Sequence, residues 1–207
     1  HFPDARLGSH TIQTLKNSLA FEELLAQQVY ISKLKAALAK KRSVVITEGQ
    51  LRDKFLKLLD FSLTESQSTV LEEIDLDLKS GVPMQRIIQG DVGSGKTVVA
   101  ALVAVNLIEG GYKVALMAPT ELLAEQHLKT FKNWFDKLDI KTYLLLGKTD
   151  RKNRENIYNL LKSQKPMLVI GTHTLFQDSL IIKNLGLAII DEQHRFGVQQ
   201  RRKLEKK

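Results

Sequence analysis

No cysteine occurs anywhere in the 207 residues. That excludes disulfides and cysteine-ligated zinc sites, while leaving the cellular compartment open. No apolar stretch approaches the roughly 20 residues that a spanning helix needs, so a transmembrane reading fails. A secretory signal is missing, as is an initiator methionine. The start at His1 is the one expected of a piece cut from something longer. Acidic residues are in deficit, with 23 Asp and Glu against 31 Lys and Arg, for a net charge of +8. Half of that excess sits in 201–207, where five cationic side chains face only Glu205. Such a balance is compatible with nucleic acid, and equally with a solvated helix end. The five histidines are scattered, with no pair at metal-ligand spacing. The single tryptophan, Trp134, stands in Phe131-Lys132-Asn133-Trp134-Phe135 and reads as packing rather than as a base-stacking platform. What remains is ordinary globular composition, 43% hydrophobic and 26% charged.

Against that background one run carries chemistry. Gly90-Asp91-Val92-Gly93-Ser94-Gly95-Lys96-Thr97 fits G-x-x-x-x-G-K-[ST], a phosphate-binding P-loop. Glycines let consecutive backbone N–H groups turn inward onto phosphate oxygens. Lys96 can reach the terminal phosphates, and the Thr97 hydroxyl can ligate magnesium. A helix beginning there turns its positive end to the anion. The flanks agree: an apolar stretch at Met84–Gln89 is expected as the entering strand, and Val98–Ala104 as a buried helix leaving the loop. A second Gly147-Lys148-Thr149 has Thr142 where the loop glycine should be, and is expected to be a surface turn.

The complementary half of such a site lies downstream. Leu187-Ala188-Ile189-Ile190 is a continuous apolar run, as a parallel strand buried on both faces requires. It ends in Asp191-Glu192-Gln193-His194. A carboxylate at the C-terminal end of such a strand stands at the ligand edge of an α/β sheet. Asp191 is expected to hold magnesium, partly through water, and Glu192 to orient the attacking water. Nucleotide and metal would be ATP and Mg2+.

Two regions differ in pattern. In residues 1–60, Phe21, Leu24, Ile31, Leu34 and Leu38 recur at helical spacing, which predicts a long helix from about Leu19 to Lys41. A second amphipathic helix follows with Leu51, Phe55, Leu58 and Leu59. This part is expected to be a helical linker packed on the rest. Residues 61–207 alternate helix and strand, with further strands at Val114–Ala118, Thr142–Leu146, Met167–Ile170 and Leu187–Asp191 and helices including Glu121–Leu138 and Arg151–Lys162. That alternation predicts an α/β fold with a mostly parallel sheet. With a P-loop on the first strand and acids on a later one, it is a RecA-like nucleotide-binding domain.

Three further motifs stand at element ends. Thr64-Glu65-Ser66-Gln67 opens a helix, and Gln67 can either close a capping box with Thr64 or meet the adenine. Ala118-Pro119-Thr120-Glu121 follows the second strand, and Gly171-Thr172-His173 the fourth. Each could be an ordinary helix start. As a pair at one sheet edge, they offer hydroxyls and backbone N–H groups to nucleic-acid phosphates. The basic stretch Lys148, Arg151, Lys152, Arg154 could touch the same partner or simply be a solvated helix start.

Taken in order, Gln67, GDVGSGKT at 90–97, APTELLAEQH at 118–127, GTH at 171–173 and DEQHRFGVQQR at 191–201 resemble the motifs of superfamily 2 helicases. Among these the chain is similar to the RecG family of ATP-dependent DNA helicases, also at HFPDA (1–5) and LAFEELLAQQ (19–28). Ser94 and Gln193 separate it from the transcription-repair coupling factor, and Gln193 and His194 from the DEAD-type RNA helicases. The resemblance implies ATP binding by Gln67 and residues 90–97, and DNA contacts at Pro119, Thr120, Glu121, Gly171, Thr172 and His173. It also implies coupling of ATP state to movement through Gln193 and His194. The implied partner is branched double-stranded DNA, handled by a monomer in the bacterial cytoplasm at the nucleoid. A wedge domain and a second motor domain belong to that family and are not in these 207 residues, so weak or no ATPase activity is expected from this part alone. A transporter ATPase would carry an LSGGQ-like signature, which is not found.

Overall fold

Four parallel strands form the centre of the protein. A computed structural model of the chain describes residues 9–39, 43–46, 49–177 and 180–195. The strands are β1 (Lys113–Met117), β2 (Thr142–Leu145), β3 (Met167–Gly171) and β4 (Leu185–Ile190), in the order β2-β3-β1-β4. β1 pairs with β3 from Lys113↔Met167 to Met117↔Gly171, and with β4 from Val114↔Leu187 to Met117↔Ile190. β2 pairs with β3 from Thr142↔Leu168 to Leu145↔Gly171. Parallel neighbours cannot be joined by a tight hairpin, so helices cross over between them. α5 (Glu121–Phe135) links β1 to β2, and α6 (Arg151–Lys162) links β2 to β3.

Alternation along the strands builds two cores. Val114, Leu116, Leu168 and Ile170 face one side, where they join Leu102 and Phe131. Ala115, Met117, Met167 and Val169 face the other, against Ile157 and Leu161 of α6. Val114–Met117 of β1 and Met167–Ile170 of β3 are therefore apolar at successive positions, as strands covered on both faces demand. On the first side lie α3 (Glu65–Lys79) and α4 (Lys96–Glu109). Val98, Val99 and every residue from Ala101 to Ile108 are buried, so α4 is enclosed nearly all round.

α2 (Gln50–Lys57) belongs to this same core. Phe55 is 0% exposed and meets Trp134 and Phe135 edge-on, with ring centroids 5.5 and 6.3 Å apart. Trp134 also meets Phe131 at 6.1 Å, so the tryptophan is packing, as its position in the sequence suggests. Gly49 gives α2 no side-chain cap; Glu109 at the end of α4 supplies one, accepting from the Gln50 and Leu51 N–H groups at 2.9 Å each. The P-loop helix thus carries α2 on its far end.

Several expectations need correction. The first helix, α1 (Ser9–Ala39), begins ten residues earlier than its apolar spacing indicates. Nothing between Ser9 and Ser18 is a proline or glycine, so nothing stops it. Of its stripe, Phe21 and Leu24 are exposed, as are Leu15, Leu19, Leu25, Val29 and Tyr30 on the same helix, while the side chains of Ile31, Leu34 and Leu38 lie outside the described residues. Glu121–Leu138 is helical only to Phe135, with a tighter 3-10 turn over Asp136–Leu138. Above all, Met84–Gln89 forms no strand. Met84 and Ile88 pack against the main core, Arg86 is bound by Asp77 (2.9 Å) and Glu73 of α3, and Ile87 is 76% exposed. A strand is a paired state, and a short run with three apolar residues cannot by itself supply the partner edge. The other four strands stand where the sequence puts them, within two residues at each end.

Candidate nucleotide site

Because all four strands run parallel, their C-terminal ends share one edge of the sheet. Residues 118–121, 146–149, 171–173 and 191–193 leave from that edge. It is the edge at which α/β folds bind ligands.

The P-loop is a turn of its own. Ser94 N–H donates to Asp91 O (3.1 Å), and Val98 N–H to Gly95 O (3.0 Å), where α4 starts. Gly95 caps the helix with φ +81°, a left-handed conformation that side chains resist. An added Cβ there would also stand 2.3 Å from Gln67 Nε2. Lys96 Nζ donates to the carbonyls of Gly90 (2.8 Å) and Asp91 (2.7 Å), using two of its three donors on the loop itself. Asp91 and Val92 are exposed, and Thr97 is half-buried in the first turn of α4.

Gln67 forms the capping box of the two alternatives that spacing leaves open. Thr64 Oγ1 accepts from Gln67 N–H (3.3 Å), and Gln67 Oε1 accepts from Thr64 N–H (2.9 Å), a complete capping box on α3. Its Nε2 donates to Ser94 O at 2.9 Å. One amide caps α3 with its oxygen and braces the P-loop with its nitrogen.

Asp191 follows β4 directly, and its N–H donates to Met117 O (2.9 Å), continuing the ladder. Its Oδ2 meets His127 Nε2 at 2.7 Å. That hydrogen bond holds the Asp191 carboxyl below the ordinary carboxylate range, helped by the Glu192 N–H and the Lys96 charge and opposed by partial burial. Glu192 is exposed and carries φ +50°, an uncommon backbone for a non-glycine residue. Gln193 lies in a 3-10 turn with Arg195. The His194 side chain lies outside the described residues, as do positions 196–207 with the rest of the DEQHRFGVQQR motif and 1–8 with HFPDA.

His127 was not singled out by spacing. The signal was present: Ala124, His127 and Phe131 share the inward face of α5, so a histidine falls where the pattern asks for an apolar side chain.

The neighbouring loops are built as follows. Thr120 is the N-cap of α5, accepting from Leu123 N–H (3.3 Å), with Pro119 half-buried and Glu121 in the first turn. Gly171 closes β3, where a Cβ would approach Leu145 O to 2.5 Å. Thr172 departs from expectation: it is 3% exposed and its Oγ1 has no hydrogen-bond partner. It sits one residue beyond β3, still within the sheet interior. His173 is exposed at the start of the next 3-10 turn. Lys148 binds Glu125 (2.8 Å) and Glu121 (3.4 Å), Arg151 binds Glu155 (2.9 Å), and Arg154 donates to the carbonyls of Leu146 (3.2 Å) and Gly147 (2.7 Å). Gly147-Lys148-Thr149 is the turn expected of it, closed by Leu146 N–H to Thr149 Oγ1 (2.9 Å).

These donors fit magnesium rather than zinc. No group of three His, Asp or Glu gathers among the described residues. A hydroxyl on Thr97 and a carboxylate on Asp191 are hard oxygen ligands, and magnesium is commonly held by one or two of these together with phosphate and water. No helix among the described residues is long and apolar enough to cross a membrane.

The profile of the family described as DEAD/DEAH box helicase matches residues 77–207. The ATP-dependent DNA helicase RecG of Pasteurella multocida is 44% identical over 201 residues, covering 97% of this chain and 29% of that protein. RecG of Thermotoga maritima is 42% identical over 208 residues, covering 100% of this chain and 26% of its own length. The chain thus spans less than a third of these relatives. A solved structure of RecG bound to a three-way DNA junction superposes with a TM-score of 0.83 at 41% identity, over 95% of this chain and 27% of that one. A hypothetical ATP-dependent RNA helicase from Sulfolobus tokodaii shares the fold, with a TM-score of 0.53 at 21% identity over 71% of this chain and 42% of its own.

Proposed function

The chain belongs to the DEAD/DEAH box helicase family, and we propose that it is the ATP-binding half of a motor that remodels branched DNA in recombination and repair. The observation that carries this reading is the pairing of two elements: a P-loop that opens α4, with Gly95 in a left-handed cap and Lys96 in the first turn, and an acid, Asp191, directly after β4 at the sheet edge where α/β folds bind ligands. In this reading they are the two halves of one phosphate site.

In this reading residues 61–207 are the nucleotide domain, and 1–60 the helical linker that docks to it through α2. The N–H groups of residues 90–97 cradle the phosphates of ATP. Lys96 exchanges the Gly90 and Asp91 carbonyls for phosphate oxygens, a trade of neutral acceptors for charged ones. Thr97 and Asp191 hold magnesium, which when bound neutralises charge between the phosphates. Glu192 orients the attacking water. Gln67 steadies the loop from α3. The DNA backbone lies along Pro119, Thr120, Glu121 and Gly171 to His173, where the exposed Thr120 and His173 make the side-chain contacts. Gln193 and His194 relay the state of the nucleotide. The protein works as a monomer in the bacterial cytoplasm at the nucleoid, together with a wedge domain and a second motor domain.

Phosphoryl transfer of this kind depends on a cationic clamp from outside the P-loop domain, worth roughly 10³–10⁵ in rate. The test is ATP hydrolysis by the purified 207-residue chain, with and without forked DNA. Turnover far below that of a complete RecG relative, with little stimulation by the fork, is expected. Turnover approaching that of the relative would show the chain to be a motor in itself and the half-site reading to be wrong.

A further inference from the structure

The contact between α5 and Asp191 is not used by any step above, and it is the least expected feature of the site. An ionised carboxylate can only accept, so the His127 Nε2 facing Oδ2 at 2.7 Å carries the proton. The imidazole is fixed from behind. It packs edge-on against Phe131, with centroids 6.4 Å apart, and Phe131 is wholly buried in the main core. Asp191 is fixed along the backbone by Met117. Asp191 is therefore held at two points, its backbone by β1 and its Oδ2 by α5. A leucine at position 127 would fill the inward face of α5 as well, so packing does not explain a histidine there.

We infer that His127 is the positioning residue of the nucleotide site: its Nε2–H sets the orientation in which Asp191 meets the magnesium–nucleotide complex. The inference rests on the nucleotide reading above and assigns the role to α5, which brings no ligand of its own. It also joins two parts of the sheet edge. Thr120, at the N-terminus of α5, lies two helical turns before His127, on the same rigid element. A displacement of that helix start therefore moves the group that holds the metal-site carboxylate.

Partners that orient a metal ligand typically contribute tenfold to a hundredfold in metal affinity. The experiment is calorimetric titration of ADP into the 207-residue protein, once with saturating magnesium and once with chelator. The ratio of the two affinities is the readout, because a merely structural role would not move it. His127→Leu should lower the ratio about tenfold to a hundredfold, with chelator-bound affinity unchanged. His127→Gln, whose amide N–H reaches the Nε2 position, should restore most of it. Nitrogen-15 NMR of the parent ring, which needs no variant to fold, should show the Nε2–H tautomer. An unchanged ratio in His127→Leu overturns the inference, as does an equal fall with and without magnesium, or an Nδ1–H tautomer in the parent. A parent that binds no ADP at all overturns the nucleotide reading as well, whereas magnesium-dependent binding by the parent with an indifferent Leu variant removes only the role of His127.

Discussion

Replacing Gln67 by Glu separates the two tasks of its amide. Glutamate at this position keeps an oxygen for the Thr64 N–H, and Thr-x-x-Glu is itself a capping box. It also adds a negative charge to the first turn of α3, which stabilises by about 0.3–1 kcal/mol. What it loses is the donor to Ser94 O, now replaced by an oxygen facing an oxygen. That lost bond costs about 0.5–1.5 kcal/mol. The two terms nearly cancel, so Gln67→Glu should stay within about 1 kcal/mol of the parent in urea denaturation. Gln67→Ala keeps its own N–H to Thr64 Oγ1 but loses both side-chain bonds, to the Thr64 N–H and to Ser94 O, and should cost about 1–3 kcal/mol. Nucleotide binding divides the variants differently. Both lose the brace on the P-loop, so both should bind magnesium–ADP roughly twofold to tenfold more weakly, following the same 0.5–1.5 kcal/mol. Alanine carries no charge, so a loss common to both variants is the brace and not repulsion of phosphate. If Gln67→Glu is as unstable as Gln67→Ala, the cap does not act as described. If either variant binds magnesium–ADP as the parent does, the brace is irrelevant to the site.

Two further substitutions test the fold around the site. Phe55→Ala should cost about 3–5 kcal/mol, because the ring is fully buried between Trp134 and Phe135, while Phe21→Ala on the exposed face of α1 should stay within about 0.5 kcal/mol. Chemical denaturation of both variants checks the contrast, and similar losses would mean that α2 is not part of the core. Lys113 is 0% exposed, its ammonium donating to the carbonyls of Ser163 and Lys183 (2.9 Å for the second), and burial lowers its pKa from 10.5. Lys113→Met leaves both carbonyls unpaired and should destabilise by about 2–4 kcal/mol at neutral pH, net of the relief of removing a buried charge. Between the lowered folded value and 10.5 the unfolded chain binds the proton more readily, so the parent gains stability as pH rises through that window. The gap between parent and variant should therefore widen towards alkaline pH, and a gap that narrows would contradict the assignment.

The parts of this protein that could be read from sequence are those where local chemistry and tertiary context agree. β1 from Val114 and β3 from Met167 are apolar at every position up to Met117 and Ile170 because both faces of the sheet are covered, and a run such as Val114–Met117 has no competing use. The P-loop was legible because Gly95 must take a left-handed backbone beside Gln67, a constraint that only glycine meets. Residues 84–89, where Gln85, Arg86 and Gln89 break the apolar run, are expected as a strand and yet stay unpaired, since pairing is decided by a neighbouring edge and not by the segment. α1 shows the converse case: helical spacing of Phe21 and Leu24 fixes the helix, but not whether anything covers it. Gln67 could not be resolved from spacing because a capping box and an adenine contact ask for the same residue; the capping box is formed, and the other end of the amide braces Ser94. His127 was hidden for a different reason. Its partner lies on another element, and nothing in the order of residues along the chain brings α5 to the end of β4.

The central claim, that this chain holds a magnesium–nucleotide through its P-loop, is tested most directly by one titration. Magnesium–ADP is added to the parent and to Lys96→Ala in a calorimeter, with thermal melting of both proteins as the control for folding. A hydrogen bond to a charged group contributes about 1.5–3 kcal/mol, so the variant should bind roughly tenfold to a hundredfold more weakly while melting close to the parent. The carbonyls that Lys96 leaves behind, on Gly90 and Asp91, belong to exposed residues and can turn to water. Equal affinity in the two proteins would mean that the Lys96 ammonium never meets a phosphate, and the P-loop assignment would fall with it.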